Sequence, residues 1–147
     1  MIVFALLSSS AVVPDLPLSR SMDLARAALG ACESRGAAVS AAVVDAQGVP
    51  VVILRADGSP KAPVAAPRKA ATAVKYAASG AELEQREKTD SDFAAFIAAH
   101  ADQYNAHGGS LPLYKGGRLV GGLAVADTDH GLADTCARAA VAAVPLE

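Results

Sequence analysis

Two carboxylates, a hydroxyl and an imidazole stand in a row at Asp127-Thr128-Asp129-His130, ahead of an alanine-rich segment with helical spacing. A histidine at a helix start feels the positive end of the helix dipole, which favours neutral imidazole, while the adjacent Asp129 favours the charged form. Opposed influences of this kind suit a general acid or base, so His130 with Asp129 is a candidate proton-transfer pair. The plainer reading is that one of Asp127, Thr128 and Asp129 caps the helix and His130 is surface. His107 stands in a loop just before Gly108-Gly109 and is the next candidate. Gly108, Gly109, Gly121 and Gly122 flank the apolar runs of this region. Glycines so placed allow the backbone to turn or a ligand to approach closely, so they are expected to form a pocket wall.

A second group, Arg55, Asp57, Arg68 and Lys69, surrounds a strand-to-helix passage. Arg55, Arg68 and Lys69 there would suit a carboxylate-bearing ligand, since charge-assisted hydrogen bonds are stronger than neutral ones. The alternative is an Arg55–Asp57 surface pair beside solvated cations. His100 shares a stripe with Phe93, Ile97 and Tyr104 and reads as a core histidine with a backbone partner. His100, His107 and His130 with Asp129 could converge on a metal, but their spacing is no metal motif. The sequence holds no phosphate loop, dinucleotide fingerprint, His-Glu-x-x-His or nucleophile elbow, which disfavours nucleotide-dependent chemistry.

These groups must be positioned by elements whose signals are mostly clear. Leu18, Met22, Ala25, Leu29 and Cys32 recur at helical spacing and predict a helix from about Leu18 to Ser34. Val39–Val44 and Val49–Arg55, joined by a turn at Asp45–Gly48, predict an antiparallel hairpin, and its doubly apolar strands predict cover by helices. A helix follows, regular from near Pro67. Ser79–Asp92 is the most polar stretch and reads as a solvated turn or mobile cover. The Phe93 stripe predicts another helix capped by Asp90 or Ser91. Strands at Leu111–Tyr114 and Arg118–Ala126 and a final helix from Gly131, with Leu132, Cys136, Ala139 and Ala143 on one stripe, complete an α+β domain on an antiparallel sheet.

Composition sets the remaining bounds. The 147 residues fit one domain. Thirteen basic and fifteen acidic side chains give a formal charge of −2 without a basic stripe, so no nucleic acid partner is expected. Apolar residues are 52 % of the chain but aromatics only 4 %, so small side chains carry the burial and a homo-oligomer is expected to complete it. Met1–Val13 contains the short apolar run Ile2–Leu7 with no preceding cation. It reads as an arm or extra strand rather than a signal peptide or membrane anchor, giving residues 1–17 as an arm and 18–147 as the domain. Cys32 and Cys136 make no disulfide framework and read as buried thiols, which with the rest points to the cytoplasm.

Taken in order, Ala42–Gly48, Arg55–Gly58, Lys69–Ala73, Gly108–Leu113 and Gly121-Gly122 resemble the GlcG/HbpS (DUF336) haem-degrading family over roughly Leu18–Val144. The resemblance implies a five-stranded antiparallel sheet flanked by helices, dimers up to octamers and, for some members, haem or iron binding. The chain departs from the family where the last strand commonly continues as Gly-Val-Ser-Gly and here reads Ala124–Gly131. Two functions follow as expectations: a haem or small-ligand binding protein that assists haem degradation, and a cofactor-independent acid–base enzyme on a small carbonyl or hydroxy-acid metabolite.

Overall fold

Helix α1 (Leu18–Glu33) and strands β1 (Ser40–Asp45) and β2 (Pro50–Arg55) open the computed structural model, which describes residues 14–147. Helices α2 (Ala65–Tyr76), α3 (Gly80–Thr89) and α4 (Ser91–Ala99) follow, then β3 (Ser110–Lys115), β4 (Arg118–Ala126) and α5 (His130–Ala143). The strands form one antiparallel sheet in the order β2-β1-β4-β3, with Val43 opposite Val52 and Leu123. Among the described residues the sheet has four strands, as the apolar runs predict, and not the five that the family resemblance implies. Of the arm expected over residues 1–17, residues 1–13 lie outside the described residues, and Leu16 is buried in the main core rather than on an arm.

The sheet is covered on both faces, which explains why β1 is apolar throughout. On one face α1 and α5 bury Leu24, Ala25, Ala28, Ala133, Ala137 and Ala140 against Ala41, Val43, Leu123 and Val125. The buried stripe of α1 is Ser21, Leu24, Ala25, Ala28 and Cys32, rotated from the expected one, so Leu18 is left exposed. On α5 the stripe likewise turns to Ala133, Cys136, Ala137 and Ala140. Cys32 and Cys136 are joined in a disulfide across this helix pair, which corrects the reading of both as free thiols. The sequence signal failed because the partners stand 104 residues apart and nothing local marks either as bridged.

On the opposite face α2 lies against Val44 and Ala124 through Ala70 and Val74. Small residues permit this close approach: a Cβ on Gly122 would stand 2.7 Å from the Ala70 carbonyl, and one on Gly121 would overlap the Val44 carbonyl. Gly121 and Gly122 are therefore packing glycines inside the sheet, not the ligand wall the sequence suggested.

The polar stretch after α2 is a helix, not a turn or mobile cover. Ser79 accepts the Glu82 N–H while Glu82 accepts the Ser79 N–H, a reciprocal cap that starts α3. Its Leu83 then joins Phe93, Ile97 and Ala106 in a small core beneath α4. Asp90 caps α4 by accepting from Phe93 N–H at 3.0 Å.

Candidate functional site

Consecutive residues of α2 open onto different cavities. Arg68, Ala71 and Lys75 line a broad cleft of about 840 Å³ together with Gln47 and Ile53 of the hairpin, Val64, Pro67 and Tyr104. Ala65 and Lys69 line a smaller pocket of about 290 Å³ with Ser40, Ser59, Lys61, Asn105, His107, Asp127, Thr128 and His130. The cation cluster expected of Arg55, Arg68 and Lys69 is thus dispersed by helical geometry, because neighbouring positions diverge by about 100° around the axis. Arg55 lines neither cavity and donates to the Ser59 carbonyl instead of pairing with Asp57.

The small pocket is built on a chain of hydrogen bonds. Lys69 is 2 % exposed, and its Nζ donates to the Gly108 carbonyl at 2.8 Å and, more weakly, to that of Val125 at 3.4 Å. Gly108 N–H donates to Glu84 Oε2 at 2.8 Å, and Glu84 Oε1 lies 3.0 Å from His130 Nδ1. The His107 ring stacks on that of His130 at 4.7 Å between centroids, and its Nε2 approaches Glu87 Oε2 at 3.9 Å. Gly109 fits only as glycine, with φ of 111° and a would-be Cβ 2.7 Å from Ala133 Cβ. Asn105 fixes the loop, its N–H donating to Thr72 Oγ1 at 2.9 Å while its own Oδ1 accepts from His107 N–H at 2.9 Å.

Asp129 is not the carboxylate beside His130. It caps α5, accepting the Leu132 N–H at 2.9 Å, and Asp127 Oδ1 accepts the Asp129 N–H at 2.7 Å. The imidazole partner is Glu84, 46 residues away in the chain. The charge of the stretch around Glu84 reads as solvated surface in sequence, although Ser79-x-x-Glu82 is a helix-start signature that places Glu84 and Glu87 on one turn.

His100 stands apart, with the expected backbone partner but half-buried at the edge of the small core rather than inside it. It ends α4, its Nδ1 sits 2.8 Å from the Phe96 carbonyl and its ring stacks on Phe96 at 4.2 Å. The three histidines therefore do not converge, and among the described residues no group of three His, Cys, Asp or Glu is arranged to hold a metal ion.

The electrostatics follow from burial and contact. Burial pushes the Lys69 ammonium down from its ordinary 10.5 to about 8, against the opposing pull of Glu84 and Asp127. Burial alone would raise the Glu84 carboxyl, but hydrogen bonds from His130 and Gly108 N–H, with the charge of both histidines, outweigh it and hold the group below its usual range. Glu84 accepts only, so the Nδ1 that faces it is the donor, and in the neutral ring the lone pair lies on Nε2. An oriented base, a buried ammonium and hydroxyls around a small cavity can move a proton and hold the charge that results.

The HbpS-like family model, described as haem degrading protein, matches residues 16–142. The chain belongs to this family. It is 34 % identical to HbpS of Streptomyces reticuli, in a crystal structure of a variant with two glutamates changed to aspartate (98 % of this chain, 97 % of that one, TM-score 0.77). It is 25 % identical to PduOC in a crystal structure of its haem complex (88 % of this chain, 94 % of that one, TM-score 0.79). Klebsiella pneumoniae ORFY, 20 % identical with a TM-score of 0.81 over 97 % of this chain and all of that one (100 %), shares the fold. No curated protein matches the chain. Among the described residues no helix is long and apolar enough to cross a membrane.

Proposed function

We propose that this HbpS-like chain binds haem in the broad cleft beside α2 and takes part in haem degradation. The observation that carries the reading is the combination of room, apolar walls and cations in one place. The tetrapyrrole face requires an apolar slot, which Ile53, Val64 and Pro67 provide, and the two propionates require cations, which Arg68 and Lys75 provide. The cleft's 840 Å³ lies within the roughly 300–1,000 Å³ typical of organic-ligand sites, whereas the small pocket's 290 Å³ falls below it. Tyr104, which lines the cleft with Asp102 and Gln103, is our nominee for the oxygen that would ligate iron. When bound, haem would supply the redox chemistry that no side chain here offers. The haem complex of PduOC, a relative of this fold, supports the reading.

Haemin titration should give a saturable Soret change at fixed stoichiometry. Absence of saturation would retire the haem reading.

The proposal includes a homo-oligomer, between a dimer and an octamer. Leu18, Val49 and Tyr114, outside the haem slot, remain 44–60 % exposed, apolar surface that a second subunit would cover. Light scattering that returned a monomer mass at micromolar concentration would exclude this. The Cys32–Cys136 bridge weighs against the cytoplasmic expectation and supports work in an oxidising compartment. Cysteines found reduced in protein taken from its native cell would return it to the cytoplasm.

A further inference from the structure

We propose that the small pocket is a second, catalytic site, independent of haem, in which His130 removes a proton from the carbon next to the ketone of a small 2-oxo monocarboxylate while Lys69 holds the enolate oxygen. Three observations converge on it. His130 is presented to the cavity with Nδ1 occupied by Glu84, which leaves Nε2 as the basic atom. Lys69 has three N–H donors and spends two on the Gly108 and Val125 carbonyls, leaving one for a single oxygen in the pocket. Finally, the base and the ammonium are tied into one rigid unit through Gly108 and Glu84, so neither has to be gathered on binding.

The lining selects the substrate class. About 290 Å³ admits a molecule of a few carbons, and the polar groups of Ser40, Ser59, Asn105 and Thr128 suit a polar one. Lys69 reaches one developing oxyanion, where a charged donor in a buried site acts most strongly. Lys61, exposed on the lining, is available to the carboxylate. Asp127 lines the same wall and carries negative charge, so a second carboxylate would be repelled.

In the step itself, the C–H bond breaks and its proton goes to His130 Nε2. The electron pair forms the C=C bond, and the carbonyl π pair becomes the enolate lone pair held by Lys69 N–H. Return of a proton from His130 closes the cycle with no oxidant, reductant or co-reactant. Glu84 is a positioning residue, acting on the substrate only through the imidazole. Of the other charged groups nearby, Glu87 faces the stacked His107, while Lys61 and Asp127 face the cavity.

Deuterium exchange tests this directly. Pyruvate and 2-oxobutyrate in D2O, followed by proton NMR, should lose signal beside the ketone faster with the wild-type chain than with buffer alone. His130→Gln and Lys69→Met should each lower that enzyme-dependent rate at least about a hundredfold while circular dichroism shows the fold retained. Glu84→Gln should reduce it less and displace its pH profile, and Asp129→Asn should leave it near wild type. Equal exchange in wild type and His130→Gln with both compounds would overturn the proposal.

Discussion

Arg68 and Lys69 are adjacent cations on one helix, and their surroundings could hardly differ more. Arg68 lies half-buried beside Ala71 and Pro67, among apolar walls, in a cleft wide enough for a large planar ligand. Lys69 is 2 % exposed, bound to two main-chain carbonyls and linked through Gly108 to an imidazole–carboxylate pair. A cation that keeps part of its hydration costs little to hold and can meet an anion that arrives later. A buried ammonium is costly unless hydrogen-bonded, and its protonation becomes sensitive to everything around it. One helix thus separates a recognition surface from a reactive pocket simply by the angle between successive residues.

The largest effect expected of any change leaves both cavities in place. The Cys32–Cys136 bridge joins α1 to α5 on the opposite face of the sheet from α2 and closes a loop of 104 residues in sequence. Its loss through Cys32→Ser with Cys136→Ser should lower stability by about 4–5 kcal/mol in urea, from unfolded-chain entropy. Binding and exchange should survive in the folded fraction. Equal stability of bridged and unbridged protein would show that the helix pair stands on packing alone.

A smaller effect separates Lys69 from Arg68. The unfolded chain keeps the Lys69 proton up to its ordinary 10.5, whereas the folded chain releases it near 8. Between those values the unfolded state binds more protons, so stability should rise with pH. Below about 8 both states are protonated and the full cost of burial remains. The contribution is roughly 3 kcal/mol across the window. Urea curves at pH 7.5, 9 and 10.5 should show this rise in wild type and lose it in Lys69→Met, while Arg68→Ala should retain it. Parallel pH dependence in wild type and Lys69→Met would mean that the ammonium is solvated.

Much of this frame is legible in sequence because the signals are local. The hairpin at Asp45–Gly48, the four apolar strand runs and the helical stripe at Phe93 and Ile97 each follow from residues within a few positions of one another. The family resemblance rests on motifs spread along nearly the whole chain and correctly names the family. Pairing across the chain is what sequence conceals. Asp129 is next to His130 in sequence but spends its carboxylate on the helix end, while Glu84 arrives from a stretch whose charge suggested surface. The Cys32–Cys136 bridge and the burial of Lys69 are hidden for the same reason, since both depend on elements packed together from distant segments.

The division of labour between the two faces of α2 is tested most directly by haemin affinity in three proteins. Arg68→Ala with Lys75→Ala should weaken the saturable Soret response about tenfold or more, on the scale of lost charge-assisted hydrogen bonds to the propionates. Lys69→Met, folded and in the same assembly, should bind haemin within about twofold of wild type. If instead Lys69→Met abolished the response and the double substitution left it intact, haem would belong to the small pocket and the assignment of the two cavities would be reversed.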